Sequence, residues 1–413
     1  AVDLATTTLS QPHLSDTLVE GNEQYRLTLS LLVAPSGVSA AATPYTGTIV
    51  DAQSASVSLG SGPLAAGEGS AAGAAVTLTT SAGSTLEQPA GITVQLSDGS
   101  ASYAGGSGDF GCAGPSNFLI VNFPAGAGNG ASQSASINLS DDRVVEGSEG
   151  FTASLSAPTG AITAAGAPLA ITINDNDSAQ IVYALPSASV GEAVSPLTLQ
   201  TRLDITAVGT GTPSLGVAAT ANIIQTPGSA ATPADYTLST SSVSFAAGSL
   251  NTANRAVSVV VVNDTISEGN EDFTLSFGTS SGPVSTSGTL LVTIVDDDVP
   301  GISVLQSGGN TAVTEGGATD SLTVALQSQP TGDVTVTLSG SQVTPSPTPI
   351  VFTSANWNTP QTVTVTAIDD AIDEASPHPG QLSFAVASSD ANYQGFAVAP
   401  IAIDVTDNDN AGV

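Results

Sequence analysis

The sequence predicts an all-β protein built of tandem antiparallel β-sandwiches arranged as a rod. Two observations carry this expectation. Val, Thr, Ser, Ala and Gly dominate, and 24 prolines and 43 glycines break the 413 residues into short runs, so long helices are not expected. An acidic motif also returns at long intervals. Asp264 is followed by Glu268, Glu271 and Phe273; Asp142, Glu146, Glu149 and Phe151 repeat the spacing, as do Asp16, Glu20, Glu23 and Tyr25. Asp370 and Glu374 begin a fourth copy, with Pro377 and Pro379 at the places of the second Glu and the aromatic. A long internal period of this kind signals repeated domains.

Taken in order, residues 1–52 read as the C-terminal half of one unit. Residues 25–31 alternate apolar and polar as a half-buried strand does, and residues 47–51 supply a closing strand. The opening strands of that unit are absent, which would leave edges unpaired. Either the sequence is a piece of a longer repeat protein, or strands from another copy of the chain complete the unit and give a head-to-tail fibre. Residues 53–177 form the first complete unit, opened by 55–59 and closed by 171–177. Its Gly- and Ala-rich middle, 60–130, holds Cys112 and is expected to be an enlarged loop region. Residues 178–298 form the second unit and 299–409 a divergent third; 410–413 resemble the start of a further strand or unit. Each unit runs into the next with almost no linker, which favours a rod over a flexible string.

Charge narrows the function. There are 36 carboxylates against four arginines and no lysine, a net charge of −32. Nucleic acid and anionic membrane surfaces both need Lys and Arg, so neither is an expected partner. Cations are. No apolar run is long enough to enter a membrane. Cys112 is the single cysteine, so no intrachain disulfide forms, and it reads as a small buried hydrophobe. Residues 106–111 match the letters of a dinucleotide fingerprint but lack the helix that must follow. His13 and His378 lie in different units, His378 between two prolines, so neither a catalytic triad nor a zinc site is expected. Paired carboxylates abound, but a glycosidase needs aromatic platforms, and the one tryptophan, Trp357, is expected to pack in the third core. The chain is read as non-enzymatic.

Most of the acids fall in the motif loops or at unit ends. In an antiparallel sandwich the loops gather at two ends, so the Asp264 loop, the closing residues Asp296, Asp297 and Asp298, Asp235 and Glu192 are able to share one end. Two carboxylates about 4 Å apart repel by roughly 4 kcal/mol at an effective dielectric near 20. A cluster of five needs a cation to stay ionised. Ca²⁺, which takes six to eight oxygen ligands in irregular geometry, is the natural occupant.

Together these residues resemble the Calx-beta domain, an immunoglobulin-like β-sandwich found in sodium–calcium exchanger regulatory loops, integrin β4 and long tandem arrays of surface proteins. The resemblance lies in Asp-Tyr, an apolar strand ending in two Asx residues, Glu-Gly-x-Glu-x-Phe and a closing Ile-x-Asp-x-Asp. It implies calcium ligands from an early Glu, the Asp of Asp-Tyr, the Asp-Asp loop with its Glu residues, and the closing acids. In the first unit these are Glu68, Asp109, Asp141, Asp142, Glu146, Glu149, Asp175 and Asp177. In the second they are Glu192, Asp235, Asp264, Glu268, Glu271, Asp296, Asp297 and Asp298, with Asn263 replacing the first loop Asp. The third offers Glu315, Asp369, Asp370, Glu374, Asp407 and Asp409 and lacks the Asp-Tyr step.

The function expected from all this is a calcium-stabilised extracellular structural or adhesive repeat protein at the cell surface: a filament, layer or adhesin stalk. Two other classes are a calcium-sensing module of a larger membrane protein and an accessory binding region of a secreted hydrolase. The repeat number and the lysine-free composition disfavour the first, and the scarcity of aromatics disfavours the second.

Overall fold

Strand periodicity sets the architecture. In 71–80 the burial alternates strictly, with Ala72, Ala74, Val76 and Leu78 inward, as side chains on successive residues of a strand must. The computed structural model describes residues 8–10, 12–30, 43–103, 108–112 and 116–412. Apart from one short 3₁₀ turn at Ser307–Gly309, its regular structure is β throughout. The described residues form three two-sheet sandwiches, each with its own apolar core.

The first sandwich pairs a sheet ordered Phe118–Phe123, Ala90–Ser97, Glu149–Thr159, Leu169–Asn174, Leu64–Gly67 with one ordered Thr163–Ala165, Ala55–Leu59, Ala71–Thr80, Ser132–Leu139, Phe110–Gly111. The second repeats this order. Ser242–Phe245, Ala219–Pro227, Glu271–Ser281, Thr289–Val295 and Ser187–Gly191 face Val284–Ser287, Ser178–Tyr183, Leu197–Thr206, Asn254–Val261 and Tyr236–Leu238. The third keeps the five-stranded sheet and has four strands in the other: Ile302–Gln306, Asp320–Leu326, Gln361–Ala367 and Val343–Ser346. Cys112 is buried in the first core, and Trp357 packs against the third.

The stretch 60–130 is not an enlarged loop. It carries strands at 64–67, 71–80, 90–97 and 118–123. Gly and Ala have low strand propensity, but here small residues alternate with Val, Leu and Ile at period two, and burial of that face outweighs propensity. Gly106 and Ser107 of the dinucleotide-like hexapeptide lie outside the described residues. Before the first sandwich, Glu23–Leu27 pairs with Tyr45–Ile49 as a two-stranded hairpin. Residues 410–412 carry no strand.

Consecutive units are joined by a contact that recurs three times. The residue after the motif Asp gives its carbonyl to the next unit: Thr17 to the Thr85 amide at 3.1 Å, Arg143 to Ser214 at 3.1 Å, Thr265 to Gln329 at 2.6 Å. The next residues run parallel to the neighbour, Leu18–Val19 beside Thr85–Leu86 and Val144–Val145 beside Ser214–Leu215. Val19 is thereby buried in the first core and Val145 in the second. At the third junction Ser267 stands at the place of those valines, Ile266 bridges to Gln329, and Asn392 donates to the Ser267 carbonyl at 2.7 Å.

Candidate metal centres

Each centre is assembled by three backbone pairings. A short parallel ladder sets the early Glu beside the closing acids: the amides of Glu68, Glu192 and Glu315 donate to the carbonyls of Asn174, Val295 and Thr406, at 3.2, 2.9 and 3.0 Å. The carbonyls of Asp109 and Asp235 accept from Ser140 and Val262, at 2.9 and 2.8 Å, which brings the Asp-aromatic step to the loop. Antiparallel pairing of Glu149 with Ile173 and of Glu271 with Ile294 brings in the second loop Glu.

The loop is folded by its own carboxylates. Asp142 Oδ1 accepts from the Val144 amide and Asp264 Oδ1 from the Ile266 amide, both at 2.7 Å, the local turn that Asp favours. The first closing acid then clamps the loop. Asp175 Oδ2 accepts from the amides of Glu146 and Gly147, at 2.8 and 2.9 Å, and Asp296 Oδ2 from Glu268 and Gly269, both at 3.0 Å. Asp51 does the same for Glu20 and Gly21, and Asp407 for Glu374. Burial pushes Asp296 upward, but the amides of Gly269, Asp298 and Glu268 outweigh it and hold the carboxyl below its ordinary value.

A buried aromatic stack carries the pair of acids that face each other. Phe110 lies on Phe151 with centroids 3.9 Å apart and Tyr236 on Phe273 at 3.8 Å, each pair 9° from parallel. Asp109 and Glu149, or Asp235 and Glu271, sit at the edge of that stack, and with Glu146 or Glu268 each trio brings oxygens within 4.8 Å of one another. Glu192, Asp296 and Asp298 form a second trio in the second unit. A small cavity there is lined by Glu192, Asp235, Glu268, Glu271 and Asp296.

The electrostatic cost is concentrated on the glutamates. Burial, then the charge of Asp109 and Glu146, pushes Glu149 up to about 7; burial, then Asp235, does the same to Glu271. Burial, then Asp175, Asp142 and Asp177, raises Glu68 to about 7. Burial first and neighbouring acids next also raise Glu146, Glu192, Glu268 and Asp298. Among the described residues Glu68 Oε2 and Asp177 Oδ2 are buried without a hydrogen-bond partner. Buried, unpartnered carboxylate oxygens beside other acids have the donor chemistry that Ca²⁺ takes, so the residues present fit that ion.

Not every acid named from the sequence joins a trio. Asp297 is exposed. Its counterparts are amides: Asn176 donates to Asp141 Oδ1 at 2.8 Å, and Asn408 donates to Asp369 Oδ1 at 3.2 Å. The second unit exchanges the two residue types, Asn263 for the loop Asp and Asp297 for the closing Asn. Asp370 is exposed and accepts from the Ile372 amide at 2.8 Å.

The third unit corrects one expectation. His378, set aside in the sequence, lies inside the acidic cluster with Glu315 and Glu374, and Glu315 also meets Asp407 and Asp409. His378 pairs with Val405, two residues before Asp407, as Glu271 pairs with Ile294, two residues before Asp296. It therefore occupies the place of the second Glu. One extra residue between Glu374 and His378 puts it out of step with the motif, which is why the sequence spacing hid it.

The Calx-beta domain profile matches residues 51–177 and 201–299, together more than half of the chain. Similar solved structures include CBD12 from CALX1.2, at 17% identity over 55% of this chain and 81% of that one, TM-score 0.25. Calcium binding domain CBD12 of CALX1.1 is 16% identical over 57% and 98%, TM-score 0.26. FdeC, an Escherichia coli adhesin, is 14% identical over 85% and 96%, TM-score 0.21. The chain has no significant match among curated proteins. On the strength of the two profile matches and the sandwiches that contain them, this chain belongs to the Calx-beta domain family.

Proposed function

We propose that the chain is a non-enzymatic, calcium-stabilised repeat protein of the extracellular or cell-surface milieu, in which Ca²⁺ fixes how each unit seats on the next. One observation carries the reading. The loop that gives Glu146 and Glu149 to the acidic cluster also gives Val145 to the core of the following unit. Asp177 reaches across as well, its Oδ1 accepting from the Val208 amide at 2.7 Å.

In the first unit Glu68, Asp109, Asp142, Glu146, Glu149, Asp175 and Asp177 would hold the ions; in the second, Glu192, Asp235, Asp264, Glu268, Glu271, Asp296 and Asp298. Ca²⁺ supplies positive charge that lets the clustered carboxylates remain ionised together. The protein's own residues do the rest. The Asp175 and Asp296 clamps hold the loop, the aromatic stack fixes the facing acids, and Val144 and Val145 of the first loop, or Ile266 of the second, transmit its order to the neighbour.

No helix among the described residues is long and apolar enough to cross a membrane. The net charge of −32 is suited to a medium rich in cations. Surface filament, layer or adhesin stalk is the role these features support, with copies of the chain as partners. Limited proteolysis of the full chain tests the reading. Millimolar Ca²⁺ should protect the unit junctions and a chelator should expose them; equal cleavage in both would overturn it.

A further inference from the structure

The third unit keeps the scaffold of the other two centres and changes its chemistry. Two acids are exchanged, one for an amide and one for an imidazole. Gln342 holds the place of Asp235: its carbonyl accepts from Ile368 at 3.0 Å as that of Asp235 accepts from Val262 at 2.8 Å. His378 holds the place of Glu271. The aromatic stack is gone too, with Val343 and Gly380 at the places of Tyr236 and Phe273. A Cβ on Gly380 would already lie 3.1 Å from the Ser341 carbonyl and from Val405 Cγ2, so a larger side chain there would have to push both aside.

The new side chains converge. Gln342 Nε2 donates to both oxygens of Glu374, at 3.1 and 3.3 Å. His378 Nε2 lies 3.0 Å from Glu374 Oε2 and 3.8 Å from Glu315 Oε1. Glu315 is 3% exposed and His378 7%. Neither imidazole nitrogen, nor Glu315 Oε2, has a partner in hydrogen-bonding geometry among the described residues. The imidazole nitrogen is this close to two carboxylates yet aligned to bond neither, and one ligand atom from each of the three side chains lies within 4.8 Å of the others. Edges of 3.0 and 3.8 Å bracket the roughly 3.4 Å between ligands of a tetrahedral ion with bonds near 2.1 Å.

We propose that Glu315, Glu374 and His378 form a site for a borderline first-row divalent cation of the Zn²⁺ class, unlike the all-oxygen centres of the first two units. Ca²⁺ and Mg²⁺ take oxygen, whereas imidazole with carboxylate suits Zn²⁺ and its neighbours. Gln342 is the outer partner that orients Glu374, a role such sites regularly fill with a hydrogen-bonding side chain.

The inference rests on reading the loop clusters as cation sites, and its test is separable from the Ca²⁺ test. The full chain, stripped by chelator and returned to millimolar Ca²⁺, is titrated with Co²⁺ and then Zn²⁺. One Co²⁺ with visible ligand-field absorption is expected, displaced by Zn²⁺ and not by more Ca²⁺. His378→Gln should weaken it by more than about tenfold, the scale on which even outer-shell partners matter. His378→Glu, which restores the residue type of the other units, should also abolish the Co²⁺ band, and covers the case in which His378→Gln fails to fold. His13→Gln and Cys112→Ser should leave the band unchanged. The proposal is overturned if no band appears, if it survives both His378 variants, or if it follows His13 or Cys112. A Co²⁺ band without any Ca²⁺ response would sink the calcium reading and leave this one standing.

Discussion

Val145 of the first sandwich runs parallel beside Leu215 of the second, and both are 1% exposed. Glu146, the next residue, belongs to the acidic trio of the first unit. One short loop therefore serves both a charged centre and an apolar joint.

Val145→Ala removes two buried methyl groups at the joint. Large-to-small core changes of this size cost about 1–2 kcal/mol. Urea unfolding should show that loss in the second unit, to whose core Val145 belongs.

Gly216 lies where the second unit touches the first centre. A Cβ there would come within 2.5 Å of Glu146 Cγ and 2.9 Å of Val144 Cγ1. Gly216→Ala must push Glu146 aside. Calorimetric titration should show weaker Ca²⁺ binding at the first centre, by about tenfold, with the second centre unchanged. Equal affinity at both would separate the joint from the centre.

Tyr236 is fully buried and its hydroxyl has no partner among the described residues. Phe110 fills the same place in the first unit's stack. Tyr236→Phe keeps the stack and removes an unsatisfied polar group, so thermal unfolding should show a gain of about 1 kcal/mol. A loss of that size would mean the hydroxyl has a role the stack does not explain.

Acid should stabilise the metal-free protein. Glu68, Glu149 and Glu271 titrate near 7 in the fold and near 4.3 in an unfolded chain. Between those values the native state binds more protons than the unfolded one, so stability falls as pH rises through this window and levels off above it. Melting in chelator should therefore shift upward from pH 8 to pH 5.5. With Ca²⁺ bound the same carboxylates stay ionised, and the trend should flatten or reverse.

The sandwiches and the acidic ends were legible because both depend on short-range pattern. Period-two alternation marks a strand such as 71–80, and the fixed offsets of Asp264, Glu268, Glu271 and Phe273 mark a loop leading into one. Three features were not legible. The joint rests on a two-residue parallel ladder between units, and Val144–Val145 has no sequence mark that names Leu215 as its neighbour. The clamp by Asp175 and Asp296 uses one carboxylate oxygen for backbone amides, which letters alone do not separate from metal ligation. His378 was hidden by a one-residue insertion and two flanking prolines, although counting back from Asp407 along the paired strand finds it. The Gly- and Ala-rich stretch resembles loop in composition, and only the alternation of its small and branched residues marks the buried face of a strand.

The most direct measurement is thermal unfolding of the full chain in millimolar Ca²⁺ and in chelator, at neutral pH and moderate salt. Ligand at about a hundred times its dissociation constant stabilises by about 2.7 kcal/mol per site, so the transitions of the first two units should move up by several degrees. Glu149→Gln together with Glu271→Gln should erase most of that shift. Identical midpoints in Ca²⁺ and chelator would contradict the account, and the repeated acids would then be surface charge alone.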